Sequence, residues 1–354
     1  MGTTMETTVD ATASADDLRA FGARVLESRG VPTDDAALVA DSLVVAEQWG
    51  HPSHGMLRLP WYVERLRTGR IAPVTHLTVL NDLGALVSVD GNAGVGQVIT
   101  ARAMDLAVER ARRFGIGAVG VRNSNHFGTA AYFTRRAAAA GCAAILTTNG
   151  SPAMAPWGGM DKAVGANPWS FAAPDGQGDV AVLDIANTGV ARGKIYAAAE
   201  KDAPIPEGWA LDAAGHPTTD PHAALDGGVV LPMASHKGYA ISFMMDVFSG
   251  VLTGSSFGLD VGGPWQPDAH SGAGHLAIAI DIAAFGPRDA FDERMRTLID
   301  QVKTVRPAPG AGAILYPGEL ENRNLAASRG IPLPAKTRAD LAALADACGV
   351  PWGL

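Results

Sequence analysis

The chain has 354 residues, enough to bury a large core and to form more than one domain. Its 47% hydrophobic and 18% charged residues are typical of a soluble globular protein. The formal net charge is −8 and no Lys/Arg run is longer than a pair, which argues against nucleic acid or an anionic membrane as partner.

The N-terminal stretch MGTTMETTVDATASADD has neither the positive nor the apolar region of a signal peptide. The most apolar run, 137–146, is too short to span a bilayer. Cys142 and Cys348 have no C-x-x-C spacing and are expected to be reduced thiols. These features predict a cytoplasmic protein in which residues 1–13 form a disordered lead-in.

Residues 14–72 are predicted to form a small helical segment, because apolar positions recur at helical spacing between capping residues. The three predicted helices span 14–30, with Ser14 and Asp17 as a capping box; 33–50, with Thr33 as N-cap and Gly50 as C-cap; and 53–69, kinked at Pro60.

From about residue 73 the pattern changes to short strands between helices. The strand spacing does not follow a regular βαβ repeat, so the chain is predicted to be α/β without a uniform parallel sheet. The predicted strands include 77–82, 85–94, 116–121, 143–148, 169–174, 180–186 and 275–282, and the predicted helices 97–114, 128–140, 237–252, 288–305 and 338–348.

The stretch GIGAVG contains a literal G-x-G-x-x-G at Gly115, Gly117 and Gly120. A Rossmann fingerprint requires a strand before the glycines and a helix after them. Here a helical pattern precedes Gly115 and an apolar strand pattern follows it. We therefore interpret Gly115 as the residue that ends a helix, and the stretch is not a dinucleotide-binding turn.

The next stretch, RNSNHFGTAAYF, places Asn123, Ser124, Asn125 and His126 at the end of a strand, followed by a helix starting near Gly128. Exposed N–H groups at a helix N-terminus can bind an anion or a ligand. Alternatively, the Asn and Ser side chains serve only to cap that helix. The sequence alone leaves both interpretations open.

The stretch GHPSHGMLR places His51, Ser53, His54 and Arg58 within eight residues. If a helix begins at Ser53, then His54 and Arg58 lie on one face. The guanidinium can bind a carboxylate through two hydrogen bonds while the imidazole exchanges the proton of a neighbouring hydroxyl. Ser53 could be only an N-cap and Arg58 only a surface charge. A metal pair of His51 and His54 lacks a further ligand at a recognisable offset.

Seven stretches in this order resemble the malate/L-lactate dehydrogenase family, whose nucleotide-binding domain is not a Rossmann fold. The resemblance extends over about 14–335, and relatives include ureidoglycolate, sulfolactate and diketogulonate oxidoreductases and piperideine-2-carboxylate reductases. The stretches are SHGMLRLPWYVERLRTGRI, NSNHFGTAAYF, GANPWSFAAP, LDIANTGVARGKI, GWALDAAGHPTTDP, SHKGYAISFMMDVFSGVLTG and PGELENR.

The resemblance implies an α/β fold with a mixed-sheet nucleotide-binding domain at 73–310. The helical segment 14–72 would carry the acid/base motif, and 311–354 would pack back on it. It also implies a homodimer in which the helical segment of one subunit closes the site of the other.

Individual roles follow from the same resemblance. His54 matches the proton donor and acceptor, with Ser53 beside it, although some members assign that role to the histidine matching His126. Substrate contacts are expected at Arg58, Asn167, Arg192 and Gly193. Cofactor contacts are expected at His126, Phe127, Gly128, Thr129, Ala130, Asp184, Ile185, Ala186, His236, Lys237, Pro317, Gly318 and Glu319, and no metal is expected.

One departure concerns the substrate. Piperideine-2-carboxylate reductases carry a His-Gly-Asp run where this chain has Arg192, Gly193 and Lys194. The missing carboxylate argues against imine reduction, and the added positive charge suits a substrate with a second anionic group.

The sequence therefore predicts hydride transfer between a nicotinamide nucleotide and C2 of a small 2-hydroxy or 2-oxo acid of the malate, lactate or sulfolactate type. NAD is slightly preferred over NADP. The alternatives are a cyclic imino acid reductase, a ureidoglycolate-type dehydrogenase, a silent carboxylate-binding protein and a metal-dependent hydrolase.

Overall fold

The computed structural model describes residues 11–199 and 201–353. Its centre is a seven-stranded mixed sheet, in the order β2-β3-β4-β13-β5-β8-β9. Strands β3 and β4 are parallel, whereas β13 pairs antiparallel with both β4 and β5. Within the described residues the strands are β1 Ala11–Ala13, β2 Thr78–Asp82, β3 Leu86–Asp90, β4 Ile116–Ser124, β5 Cys142–Thr148, β6 Pro152–Met154, β7 Val164–Gly165, β8 Trp169–Pro174, β9 Val180–Ile185, β10 Ala210–Leu211, β11 Pro217–Thr218, β12 Val229–Val230, β13 Ala273–Asp281 and β14 Ile331–Leu333.

Helices pack against this sheet and form a separate layer at the N-terminal side. Helix α4 (Gly96–Phe114) covers β4 and β13, and a buried apolar cluster fills the space between the helix and these strands. In the described ranges the helices are α1 Ala15–Glu27, α2 Thr33–Trp49, α3 Leu59–Arg67, α4 Gly96–Phe114, α5 Ala131–Ala139, α6 Arg192–Ala199, α7 Pro221–Leu225, α8 His236–Asp246, α9 Arg288–Lys303, α10 Glu319–Ala327 and α11 Ala335–Cys348.

A second apolar cluster joins α1, α2 and α3 to the C-terminal strand β14 and helix α11. Phe21, Leu43 and Leu59 are fully buried in it, together with Leu341 from α11. A five-stranded sheet, β11-β10-β12-β6-β7, lies apart from the central one; its short strands give no clear periodicity, and sequence analysis missed it. No helix of the described residues is long and apolar enough to cross a membrane.

The predicted lead-in is partly wrong. Residues 1–10 lie outside the described residues, but Ala11–Ala13 forms β1 and pairs antiparallel with Ile331–Leu333. Ala13 is buried against the cluster that contains Ile331 and Leu333. This pairing depends on a segment more than 300 residues away, so no local pattern indicates it.

The predicted start of the second helix is also wrong by one residue. Pro32 occupies the N-cap position without a side-chain hydrogen bond, and Thr33 is the first helical residue. Asp34 and Asp35 follow in the first turn, where their charge is favourable. Ser14 is confirmed as the N-cap, since its Oγ accepts from Asp17 N at 3.0 Å, but the Asp17 carboxylate accepts from the Ser14 hydroxyl and not from its backbone N–H as in a capping box.

The third predicted helix is wrong in its first turn. Two 3₁₀ turns, Pro52–His54 and Met56–Arg58, precede α3, and the helix starts only at Leu59. Pro60 does not kink this helix, because it occupies the first turn, where its missing N–H needs no partner.

The glycines of GIGAVG have the structural role predicted for them. Gly115 adopts φ 83° and ends α4, and β4 follows at once. Gly117 lets α4 pack directly on β4, since a Cβ there would overlap the carbonyl oxygen of Ala107. The stretch binds no phosphate in the manner of a Rossmann turn, because no helix follows the glycines.

Candidate active site

The two 3₁₀ turns are held in place by Glu47 of α2. Its carboxylate accepts a hydrogen bond from Met56 N at 2.8 Å, between the two turns. Gly55 must lack a side chain, because a Cβ there would overlap the Glu47 carboxylate. Burial raises the pKa of Glu47 to about 7. This contact replaces the helical hydrogen bonds that the sequence pattern predicted for the segment.

The structure brings His54 and His126 together, although 72 residues separate them in sequence. Their rings are nearly parallel, with centroids 6.0 Å apart. His54 Nδ1 lies 2.9 Å from Ser53 Oγ, and His126 Nδ1 lies 2.7 Å from the hydroxyl of Tyr62. Neither Nε2 atom bonds a protein group among the described residues, so both are available to a substrate.

Both histidines are held neutral by their surroundings. Burial, with Arg58 and His51 nearby, lowers the pKa of His54 to about 4. Burial and the charges of His54 and Arg58 lower the pKa of His126 well below its usual value. A bound anion would offset the positive potential that disfavours a protonated imidazole.

Arg58 lies beside this pair without an acidic partner among the described residues. Its Nε donates to the carbonyl oxygen of Ser53 at 2.6 Å, and its guanidinium stacks on the Trp61 ring at 3.9 Å. These contacts hold the side chain while leaving its charge uncompensated. His54 and Arg58 therefore converge as predicted, but through two 3₁₀ turns rather than one α-helical face.

The side chains of the stretch before His126 do not cap α5 but bond to other parts of the protein. Asn123 donates to Asp90, Ser124 Oγ contacts His275, and Asn125 donates to the carbonyl oxygens of Ala93 and Gly94. These side chains fix the backbone that carries His126, which neither sequence interpretation anticipated.

One N–H at the N-terminus of α5 is bonded within the protein. Asp184, at the end of β9, accepts from Ala131 N at 2.7 Å, and burial raises the pKa of this carboxyl. Ligand binding at that helix end stays a prediction. Gly128 adopts φ 85°, and its Cβ position faces the His54 carbonyl oxygen. Thr129 Oγ1 is buried without a hydrogen-bond partner among the described residues.

The remaining predicted residues occupy several elements around the sheet. Asn167 is fully buried, and its amide accepts from Gly150 N and donates to the Ser242 carbonyl oxygen, so its side chain is committed to the fold. Phe127 and Ala130 are buried, Ile185 is half-buried and Ala186 is exposed.

The other predicted contacts lie on later elements. His236 opens α8 and lies edge-on to Trp157, next to the exposed Lys237. Arg192 and the exposed Gly193 open α6.

Residues 317–319 pack against β9 and α9. The Pro317 carbonyl oxygen accepts from Val182 N, and Gly318 has no room for a Cβ. Glu319 is ion-paired with Lys303 and Arg323.

Sequence analysis missed Tyr62, Arg65 and Gln97. Tyr62 follows Arg58 by four residues on the same strongly patterned stretch, so helical spacing could have indicated it. Arg65 is fully buried and donates to Asn125 Oδ1 and to the Gln266 carbonyl oxygen. Within the described residues no group of three or more His, Cys, Asp or Glu is placed to hold a metal ion.

The site thus combines two neutral histidines, whose Nε2 atoms have no protein partner among the described residues, with an arginine that has no acidic partner there. The mixed sheet that carries it is that of a non-Rossmann dehydrogenase. Residues 13–342 match the family model described as malate/L-lactate dehydrogenase, and the chain belongs to this family.

Individual relatives have the same architecture. The chain is 39% identical to an L-sulfolactate dehydrogenase of Methanocaldococcus jannaschii, over 85% of this chain and 86% of the relative. It is 37% identical to a malate dehydrogenase of Pyrococcus abyssi, over 95% and 94% of the two chains. The solved structure of sulfolactate dehydrogenase from Methanocaldococcus jannaschii superposes with a TM-score of 0.91 at 35% identity, covering 96% of this chain and 98% of that one.

The protein is accordingly a hydroxy-acid dehydrogenase. Dehydrogenases of this family use NAD or NADP. The predicted family, fold class and reaction class are confirmed.

Proposed function

We propose that the protein transfers a hydride between a nicotinamide nucleotide and C2 of a small 2-hydroxy or 2-oxo acid that carries a second anionic group, as in malate or sulfolactate. The observation that carries this proposal is the uncompensated charge of Arg58 beside the free Nε2 of His54. A carboxylate on Arg58 places the adjacent C2 oxygen near the imidazole.

His54 takes the hydroxyl proton of the substrate on oxidation and returns it on reduction. For Nε2 to accept that proton, the neutral ring carries its own hydrogen on Nδ1, which donates to Ser53 Oγ before and after the transfer. A carboxylate bound to Arg58 offsets one of the positive charges that lower the pKa of His54, so substrate binding favours the protonated form needed for reduction.

The residues present fit a nicotinamide nucleotide. The orphaned Thr129 hydroxyl offers a buried polar group, and the left-handed Gly128 leaves open space beside the His54 backbone. We infer that residues 126–130 hold the nucleotide together with Asp184 and the segment 317–319. The bound nucleotide supplies the hydride donor or acceptor; the protein orients the substrate and moves the proton.

We propose NAD rather than NADP as the preferred nucleotide. Asp184 forms no ion pair with Lys or Arg among the described residues, so this carboxyl brings no cation with it that could bind an additional phosphate. Relatives are named for each of the two nucleotides, so the names alone favour neither.

The second anionic group of the substrate is assigned to Arg192. Its guanidinium lies 5.8 Å from the Tyr196 ring centroid and has no acidic partner among the described residues. Burial, together with the charge of Arg192, lowers the pKa of nearby Lys162. Two neighbouring cations without a counter-charge suit a substrate sulfonate or second carboxylate.

We also propose a cytoplasmic homodimer. Exposed apolar side chains cluster along α8 and the residues that follow it, and a second copy of the chain would cover them. They are Phe243, Met244, Phe248, Val251, Leu252, Phe257 and Leu259. Light scattering of the purified protein measures the mass directly, and a monomer would contradict the dimer.

Absorbance at 340 nm tests the function. Oxaloacetate, 3-sulfopyruvate, pyruvate and piperideine-2-carboxylate are each offered with NADH and with NADPH. We expect turnover of a dianionic oxo acid, fastest with NADH. Arg192→Gln should raise the KM for that acid far more than for pyruvate, whereas Lys201→Gln, which removes an exposed charge nearby, should change neither. Equal effects of Arg192→Gln on both acids would contradict the assignment of Arg192.

A further inference from the structure

Tyr62 joins the two halves of the active site. It lies on α3, four residues after Arg58, and only 3% of its surface is exposed. Its hydroxyl is 2.7 Å from His126 Nδ1, and the two ring centroids are 5.9 Å apart. This hydrogen bond is the direct polar contact between α3 and the His126 ring.

The direction of this hydrogen bond is set by the surroundings of both groups. Burial raises the pKa of Tyr62 above its usual range, so the phenol keeps its proton. His126 stays neutral because it is buried and faces the positive charges of Arg58 and Arg65. A neutral imidazole has one N–H and one bare nitrogen.

We propose that Tyr62 is a positioning residue that donates its phenol hydrogen to Nδ1 of His126 and so fixes the imidazole proton on Nε2. His126 then meets the substrate as a neutral hydrogen-bond donor and not as the base. This inference rests on the proposed function for the identity of the substrate oxygen that receives the bond.

In this proposal His54 exchanges a proton with the substrate, whereas His126 only donates a hydrogen bond to it. During oxidation the substrate hydroxyl proton moves to His54 Nε2, while a bound nucleotide would supply the acceptor for the hydride of C2. His126 keeps its own proton throughout and donates a hydrogen bond from Nε2 to the same substrate oxygen. On reduction that bond stabilises the negative charge that develops on the oxygen before His54 protonates it.

Gln97 favours the same direction of the hydrogen bond between Tyr62 and His126. Its side chain is fully buried on α4, and its interaction with the Tyr62 hydroxyl acts to lower the pKa of that phenol, against the larger effect of burial. Neither amide atom makes a regular hydrogen bond among the described residues. A Gln97 N–H directed at the phenol oxygen leaves the phenol hydrogen for His126, so the amide favours the same direction of the bond.

The experiment measures the tautomer directly, in the full-length protein labelled with 15N-histidine and without substrate or nucleotide. We expect the His126 signals of a ring protonated on Nε2, assigned by their loss in His126→Gln. In Tyr62→Phe the signals should move towards a mixture of both tautomers. Tyr132→Phe removes a comparable phenol hydrogen bond, to Asp41, and should leave the His126 signals unchanged.

Turnover supplies the second measurement. Tyr62→Phe should lower kcat by about 10- to 100-fold, the usual effect of removing a partner that orients a histidine, while the KM for the oxo acid stays close to that of the wild type because Arg58 remains. A wild-type His126 ring protonated on Nδ1 or on both nitrogens would overturn the assignment, even if Tyr62→Phe did not fold. An altered tautomer with unchanged kcat would overturn the catalytic role. Absence of turnover in the wild type would contradict the proposed function and leave the tautomer result standing.

Discussion

The two segments that carry His54 and His126 hold the histidine ring through different kinds of partner. His54 is bonded by its sequence neighbour Ser53 and lies in irregular 3₁₀ turns. His126 follows the central strand β4 and is bonded by Tyr62, from a different element. We propose that the local partner leaves His54 free to gain or lose a proton, whereas the distant, buried partner fixes the protonation state of His126. On this proposal the roles of the two histidines follow from their partners rather than from the imidazoles.

Exchanging the imidazole of His54 for an amide tests this division of roles most strongly. His54→Gln keeps polarity and approximate size but cannot exchange a proton, so kcat should fall by about 10²- to 10⁴-fold. His126→Gln keeps an N–H donor, and its loss should be smaller. Steady-state kinetics in both directions measures the two losses. A larger loss for His126→Gln would show that the roles are reversed.

A substitution of Arg58 tests substrate binding separately from the proton transfer proposed for His54 in the same segment. Arg58→Lys keeps a cation but loses the two-pronged grip and the stacking on Trp61, so kcat/KM should fall by about 10- to 100-fold, mainly through KM. The control is Arg24→Lys, a positive charge in the last turn of α1. Inhibition constants of a non-reactive dicarboxylate should rise in parallel with KM. An unchanged inhibition constant would show that Arg58 does not bind the carboxylate.

The sequence predicted more about the segment of His54 than about the surroundings of His126. Ser53, His54 and Arg58 lie within six residues, so spacing alone suggested the group, although it wrongly placed them on one helix and left their roles to the family resemblance. The sequence also indicated most strands of the central sheet, because their apolar residues are continuous or alternate. Family resemblance, and not spacing, pointed to Asp184 and Glu319.

Contacts between distant segments were beyond such analysis. The Tyr62–His126 bond and the β1–β14 pairing each join residues more than 60 positions apart. The five-stranded sheet is built from strands of two or three residues, too short to show a period. The helix expected from Ser53 failed because the buried carboxylate of Glu47 takes the Met56 N–H, a tertiary contact that outweighs local propensity.

Glu47 gives the smallest expected effect and tests how the local segment is held. Its pKa of about 7 lies above the unfolded value of 4.5, so protonation stabilises the folded state, fully below pH 4.5 and progressively less as pH rises to 7. Glu47→Gln keeps an oxygen that accepts from Met56 N but has no charge to bury. Relative to the wild type, the variant should gain about 1–3 kcal/mol of unfolding free energy between pH 5 and pH 8. Urea unfolding at the two pH values measures the change, with the exposed Glu27→Gln as the matched control. A difference that does not vary with pH would mean that Glu47 is already ionised at pH 5, and that the turns carrying His54 rest on a charged carboxylate.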